Sequence, residues 1–115
     1  MSLRIQRCES PRQLLVGGEL DLATAPELQR VLGTISSSAD ITLDLEFLSF
    51  VDEAGLQLLL STADRLDGSL VLLSPPATLV RLLNLMTPPA PGNLVLQVSA
   101  EEKTPTRARP GSATA

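Results

Sequence analysis

Between residues 20 and 98, three helical stripes alternate with three short apolar runs. Few architectures accept that order. The first stripe lies in "LATAPELQRVLGTI", where Leu28, Val31, Leu32 and Ile35 recur at i, i+3, i+4 and i+7, the period of an amphipathic helix. Thr24 followed by Glu27 fits a capping box, and Pro26 falls in the first turn, where its missing N–H costs nothing. The second stripe begins at Asp52. At 100° per residue, Leu56, Leu59, Leu60, Ala63 and Leu66 share an arc of about 120° that faces a core. Ala54, Leu58, Ser61 and Arg65 fall on the opposite side, so Leu58 is expected to face solvent. The third, "SPPATLVRLLNLM", offers Ser74 as a cap before Pro75, then Leu79, Leu82, Leu83 and Met86 at helical spacing.

The runs between the stripes read as strands. "ITLDL" is short and rich in aliphatic and β-branched residues, "SLVLLS" is an apolar strand of the buried kind, and "NLVLQV" closes the pattern. Ahead of them, "LRIQRC" alternates apolar with polar, "ESPR" is a turn, and "QLLVGGEL" is a second strand, so the chain opens with an antiparallel hairpin. Gly17 and Gly18 mark a bulge or a close backbone approach. The expected fold is α/β, in the order β-β-α-β-α-β-α-β: a mixed sheet, antiparallel at its N-terminal hairpin and parallel after it, with helices packed on it. Residues 1–102 form one domain. Residues 103–115 are polar, show no apolar period, and are read as a disordered tail.

Composition removes several functions. The 115 residues hold no histidine and one cysteine, Cys8. Serine nucleophiles lack their usual base, and thiolate metal clusters and intrachain disulfides are excluded. The one lysine, Lys103, lies in the tail, and Gly17-Gly18 is not followed by the Lys-Ser/Thr of a phosphate loop. Neighbouring carboxylates such as Asp21, Asp44, Asp52 and Glu53 are a weak signal for acid–base chemistry. Neither an enzyme nor a cofactor is expected. Residues 1–102 carry 13 acids against six bases, and the chain has no Trp or Tyr, which disfavours direct nucleic-acid binding and favours partners with basic surfaces. There is no signal-peptide core and no run long enough for a membrane span, so a cytoplasmic protein without membrane insertion is expected. The oligomeric state is left open.

The chemistry concentrates in "LSFVDEAGLQLLL", residues 48–60. Capping alone accounts for both acids: Asp is a preferred N-cap, and Glu at the first helical position complements the positive helix end. Gly55 permits close packing. Two features add to that reading. The helix starts directly after a strand, at the carboxyl edge of the sheet, where sites form in open α/β folds. The turn in "GELDLAT" reaches the same edge and brings Asp21 near Asp52 and Glu53.

Taken together, "VGGELDLATAPEL" (16–28) and "ITLDLEFLSFVDEAGLQLLL" (41–60) resemble a STAS domain of the anti-sigma-factor antagonist type, with the likeness extending over about residues 3–98. The resemblance implies a regulatory binding module. Such antagonists capture an anti-sigma factor that is also an ATP-binding serine kinase, and so release a sigma factor; the kinase switches them off by phosphorylating the Ser or Thr after the motif Asp. Here Asp52 matches the motif Asp, Gly55 its glycine, and Asp21 the acid of the neighbouring loop. The phosphoacceptor position is Glu53, which cannot take that phosphate. It either imitates the phosphorylated state in part, with less charge and fewer acceptor oxygens than phosphoserine, or faces a basic group on a changed partner. Constitutive, unswitched binding is the favoured expectation. The expected partner surface comprises Asp21, Thr24, Asp52, Glu53, Ala54, Gly55 and Leu58. Ser49, Ser61 and Thr62 read as ordinary polar residues rather than replacement phosphorylation sites. The alternative within this resemblance is an accessory STAS subunit of a membrane transport complex that binds its cytoplasmic ATPase.

Overall fold

The structure, a computed structural model, describes residues 2–8 and 12–97. The expected tail at 103–115 and the end of the expected domain beyond residue 97 lie outside them. The elements run β1 (Leu3–Arg7), β2 (Gln13–Leu20), α1 (Ala25–Leu32), β3 (Ile41–Asp44), β4 (Leu48–Val51), α2 (Glu53–Arg65), β5 (Leu70–Leu73), α3 (Ala77–Asn84) and β6 (Leu94–Gln97). The α/β class, the N-terminal hairpin and the parallel remainder are as the pattern implies, with one strand more.

That extra strand comes from a break inside "LDLEFLSFV". The Asp44 carboxylate accepts from the Glu46 amide at 3.1 Å, and Leu48 N–H donates back to the Leu45 carbonyl at 3.0 Å. This turn ends β3 and restarts the chain as β4. The two pieces share β2 end to end: Gln13–Leu15 pair with β3, and Gly18–Leu20 pair with β4. Both expectations for the glycine pair hold. The register shifts between Gly18 and Glu19, Gly18 has φ +94°, and a Cβ at Gly17 would lie 3.2 Å from the Cβ of Phe47.

The sheet order is β1-β2-β3-β5-β6, with β4 beside β2. After β2 every crossover steps the same way. Right-handed connections that never reverse direction put all their helices on one face. Burial agrees: Leu14, Val16, Leu20, Ile41, Leu43, Leu70 and Leu72 join Leu28, Leu32, Leu59, Ala63, Leu79 and Leu83 in one core. β5 therefore differs from expectation. Leu70 and Leu72 are buried, while Val71 and Leu73 are half-buried on the face that carries no helix. Because the strand order does not reverse, the sheet has no switch-point crevice, and the acidic helix start occupies a corner.

Two caps also differ. Thr24 makes no side-chain capping bond to α1, because its hydroxyl is engaged in the preceding loop. Ser74 does not cap α3. Pro76, at φ −65° and ψ 151°, delays the helix until Ala77, as an extended proline does when it precedes a helix start.

Candidate functional site

At the end of β2 the chain turns sharply, and Asp21 and Thr24 make the turn. One Asp21 carboxylate oxygen accepts from the Ala23 and Thr24 amides, each at 3.0 Å. The Thr24 hydroxyl donates to the Glu19 carbonyl at 2.7 Å and accepts from the Asp21 amide at 3.0 Å. Both side chains are buried, so their polar atoms are spent on backbone groups that would otherwise lose their partners. A side effect follows for Leu22. Strand alternation would send it to the core with Leu20, but the turn ends the alternation and leaves it 76% exposed.

Asp52 joins this turn to α2. Its Oδ1 accepts from the Gly55 amide at 2.9 Å, the N-cap bond the sequence implies, and its Oδ2 accepts from the Leu22 amide at 3.1 Å. Its own amide donates to the Leu20 carbonyl at 3.2 Å. One carboxylate thus fixes the helix start and the exposed loop together. Gly55 lets them approach: a Cβ there would lie 2.7 Å from the Leu20 carbonyl oxygen and 2.8 Å from Leu20 Cγ. Neither atom is a flexible side-chain end.

Glu53 is the first residue of α2 and is exposed. Its carboxylate accepts no hydrogen bond among the described residues, unlike those of Asp21 and Asp52. It borders a broad groove of about 690 Å³ lined by Leu56, Gln57, Leu60, Asp64 and the Met86–Pro91 segment. On the other flank, half-buried Ala54 and exposed Gln57 line a second groove of about 370 Å³ with Leu22, Ala25, Pro26 and Gln29. The corner therefore presents Leu22, Glu53, Ala54 and Gln57. Behind them Asp21, Thr24, Asp52 and Gly55 set the positions.

Leu58 corrects the sequence reading. It is 8% exposed and belongs to the core, not to a solvent-facing flank. Periodicity along one helix sees only the stripe facing the sheet, but α1 lies beside α2 and covers a second stripe. Leu58 sits in that seam, near Gln29 and Leu32, and the Arg65 guanidinium closes it by donating to the Leu32 carbonyl at 3.1 Å. Thr62 is buried there too, donating to the Leu58 carbonyl at 2.7 Å. Ser49 and Ser61 are exposed, with hydroxyls donating to the Gly18 and Leu58 carbonyls. The exposed apolar residue that sequence reasoning missed is Leu22; its signal was a leucine between two loop-forming residues, Asp21 and Thr24.

No helix among the described residues is long and apolar enough to cross a membrane. Among the same residues, no group of three or more His, Cys, Asp or Glu is arranged to hold a metal ion.

The family profile described as "Mlab, STAS domain" matches residues 3–87, and the chain belongs to the STAS domain family. The anti-sigma-B factor antagonist of Staphylococcus aureus strain NCTC 8325 / PS 47 is 37% identical over 71 residues, 58% of this chain and 66% of that protein. The same protein from strain COL matches to the same extent. The matched region thus spans slightly less than two thirds of these relatives. The solved structure of the anti-sigma factor antagonist SpoIIAA in its unphosphorylated form superimposes with a TM-score of 0.61 at 20% identity, covering 88% of this chain and 92% of that one. At that identity the match shows a shared fold.

Proposed function

We propose that this chain is an anti-sigma-factor antagonist-like binding protein, whose partner is an anti-sigma factor of the ATP-binding serine kinase type. The observation that carries the reading is the joint placement of Leu22 and Glu53 by the Asp52 carboxylate, through its bonds to the Leu22 and Gly55 amides. An exposed leucine, a free carboxylate, Ala54 and Gln57 form a small apolar and acidic contact surface, and the names of the similar Staphylococcus aureus proteins support its direction. We read the protein as acting by binding rather than catalysis, which the engagement of the Asp21 and Asp52 carboxylates by backbone amides supports.

Glu53 stands where the family's phosphorylatable hydroxyl is expected, so binding is constitutive at this position. A buried-rim contact between Glu53 and a basic partner group contributes about 1–3 kcal/mol. Asp21, Thr24, Asp52 and Gly55 act through the positions of Leu22 and Glu53, without direct contact.

Affinity capture with wild type, Leu22→Asp and Glu53→Ser tests the reading. Wild type retains the anti-sigma factor, and Leu22→Asp loses it while keeping its fold. Glu53→Ser is released once the kinase phosphorylates its new hydroxyl. Copurification of a transporter ATPase in place of any anti-sigma factor would establish the accessory-subunit alternative instead.

A further inference from the structure

The chain has two aromatic residues, Phe47 and Phe50, and both are exposed, at 59% and 46%. They sit on the sheet face opposite the helices. Gly17 points its missing side chain to that face, and a Cβ there would touch Phe47; Phe50 pairs with Glu19 in β4–β2 register, between the buried Leu48 and Val51. The ladder continues the patch. Leu15 aligns through Asp44 with Leu73, and Val71 aligns with Val95 on the edge strand. Leu15, Phe47, Phe50, Val71, Leu73 and Val95 thus form the apolar part of one open face. "LVLL" is the run of a strand covered on both faces, yet the structure covers one.

We propose that this open face is the interface of a homodimer, two copies packing sheet against sheet. Residues 98–115 contain one large apolar residue, Val98, against the six apolar side chains of the face. A second copy fits on charge. Residues 1–102 carry 13 acids and six bases, so two copies repel over most of their surfaces. The open face instead carries Arg4 with Glu19 and Asp44, and the two acids are engaged locally by the Ser2 and Glu46 amides. With the uncharged Gln6, Gln13, Thr42 and Gln97 beside its apolar residues, it is a mixed, nearly neutral face on an acidic molecule. Area also fits. Six strands at ~3.3 Å per residue and ~4.8 Å spacing give a projected area of about 450 Å² per copy. Two copies, with side-chain relief added, approach the ~1,200 Å² at which stable interfaces begin. Paired sheets of this kind stack about 10 Å apart with strands about 30° askew. A dimer of this size falls at the weak, transient end of specific interfaces.

Sedimentation equilibrium of the full chain tests the proposal, read by interference optics because there is no Trp or Tyr. The weight-average mass should rise from 12.2 kDa toward twice that value with concentration. Added salt should strengthen association, because it screens the like charge of the two copies. Phe50→Asp should weaken association at least about tenfold, as should Val95→Asp, which replaces it if Phe50→Asp does not fold by circular dichroism. Leu85→Asp, exposed at the end of α3 on the helical side, should leave association unchanged. A wild-type mass fixed at 12.2 kDa up to millimolar concentration overturns the proposal and leaves the face to a different protein. So does a dimer that survives Val95→Asp and Phe50→Asp, or one that is lost in Leu85→Asp.

Discussion

Replacing Asp52 tests the link between helix start and contact loop, and its size can be worked from the bonds it makes. In Asp52→Ala, α2 loses its N-cap acceptor, about 0.5–2 kcal/mol, and the favourable charge at its positive end, about 0.3–1 kcal/mol. The Leu22 amide loses its acceptor as well; because Leu22 is exposed, water replaces the bond and the loss is at the low end, about 0.5 kcal/mol. The total is about 1.3–3.5 kcal/mol, or a melting temperature lower by about 5–20 °C for a domain of this size. Asp52→Asn separates the terms. Its carbonyl oxygen keeps the Gly55 bond, but it has no charge and its NH₂ cannot accept from Leu22, so about 0.8–1.5 kcal/mol is lost. Thermal unfolding by far-ultraviolet circular dichroism reads both variants, and amide exchange reads the loop. The expected result is partial stability in Asp52→Asn together with exchange at Leu22 as fast as in Asp52→Ala. An Asn variant that retains wild-type protection at Leu22 would refute the clamp, and an Ala variant within 0.5 kcal/mol of wild type would refute the energetics.

Other perturbations separate positioning from contact. Leu58→Ala should cost about 2–5 kcal/mol in chemical denaturation because it empties the α1–α2 seam; a loss under 1 kcal/mol would return Leu58 to the surface. Leu22→Asp should change stability by less than about 0.5 kcal/mol while removing partner binding, and retention of binding would take Leu22 out of the interface. Gly55→Ala gains up to about 1 kcal/mol of helix propensity but meets the Leu20 backbone, at a cost of about 1–3 kcal/mol; a variant more stable than wild type would show that α2 moves away freely. Gly18→Ala, at φ +94° and against the Ser2 carbonyl, should lower the melting temperature, and an unchanged melt would mean that the bulge relaxes.

Much of this arrangement was legible in the sequence because it rests on local periodicity and local caps. The stripe Leu56, Leu59, Leu60, Ala63 and Leu66 is buried as its spacing implies, Asp52 caps α2, and Gly17-Gly18 marks a real bulge. The misreadings share a cause: each depends on a neighbour that the local pattern does not contain. Leu58 is buried by α1, an element about 30 residues earlier. Thr24 looked like a cap but serves the Glu19 carbonyl behind it. The split into β3 and β4 depends on Asp44 closing a turn on Glu46, inside a run whose hydropathy is continuous. Leu22 carries no mark in the sequence because its exposure comes from two side chains flanking it, not from its own character. The "LVLL" run records an apolar second face that the single-sided winding leaves open.

Partner contact is proposed to fall on the Leu22–Glu53 corner, with Glu53 making it independent of phosphorylation. Site-specific photo-crosslinking tests it most directly, with the crosslinker placed in turn at positions 22, 57 and 50 and the anti-sigma factor kinase added with ATP. Crosslinks to the anti-sigma factor are expected from positions 22 and 57, none to it from position 50, and equal yields with and without ATP. Crosslinking confined to position 50, or yields at 22 and 57 that fall when ATP is supplied, would contradict it.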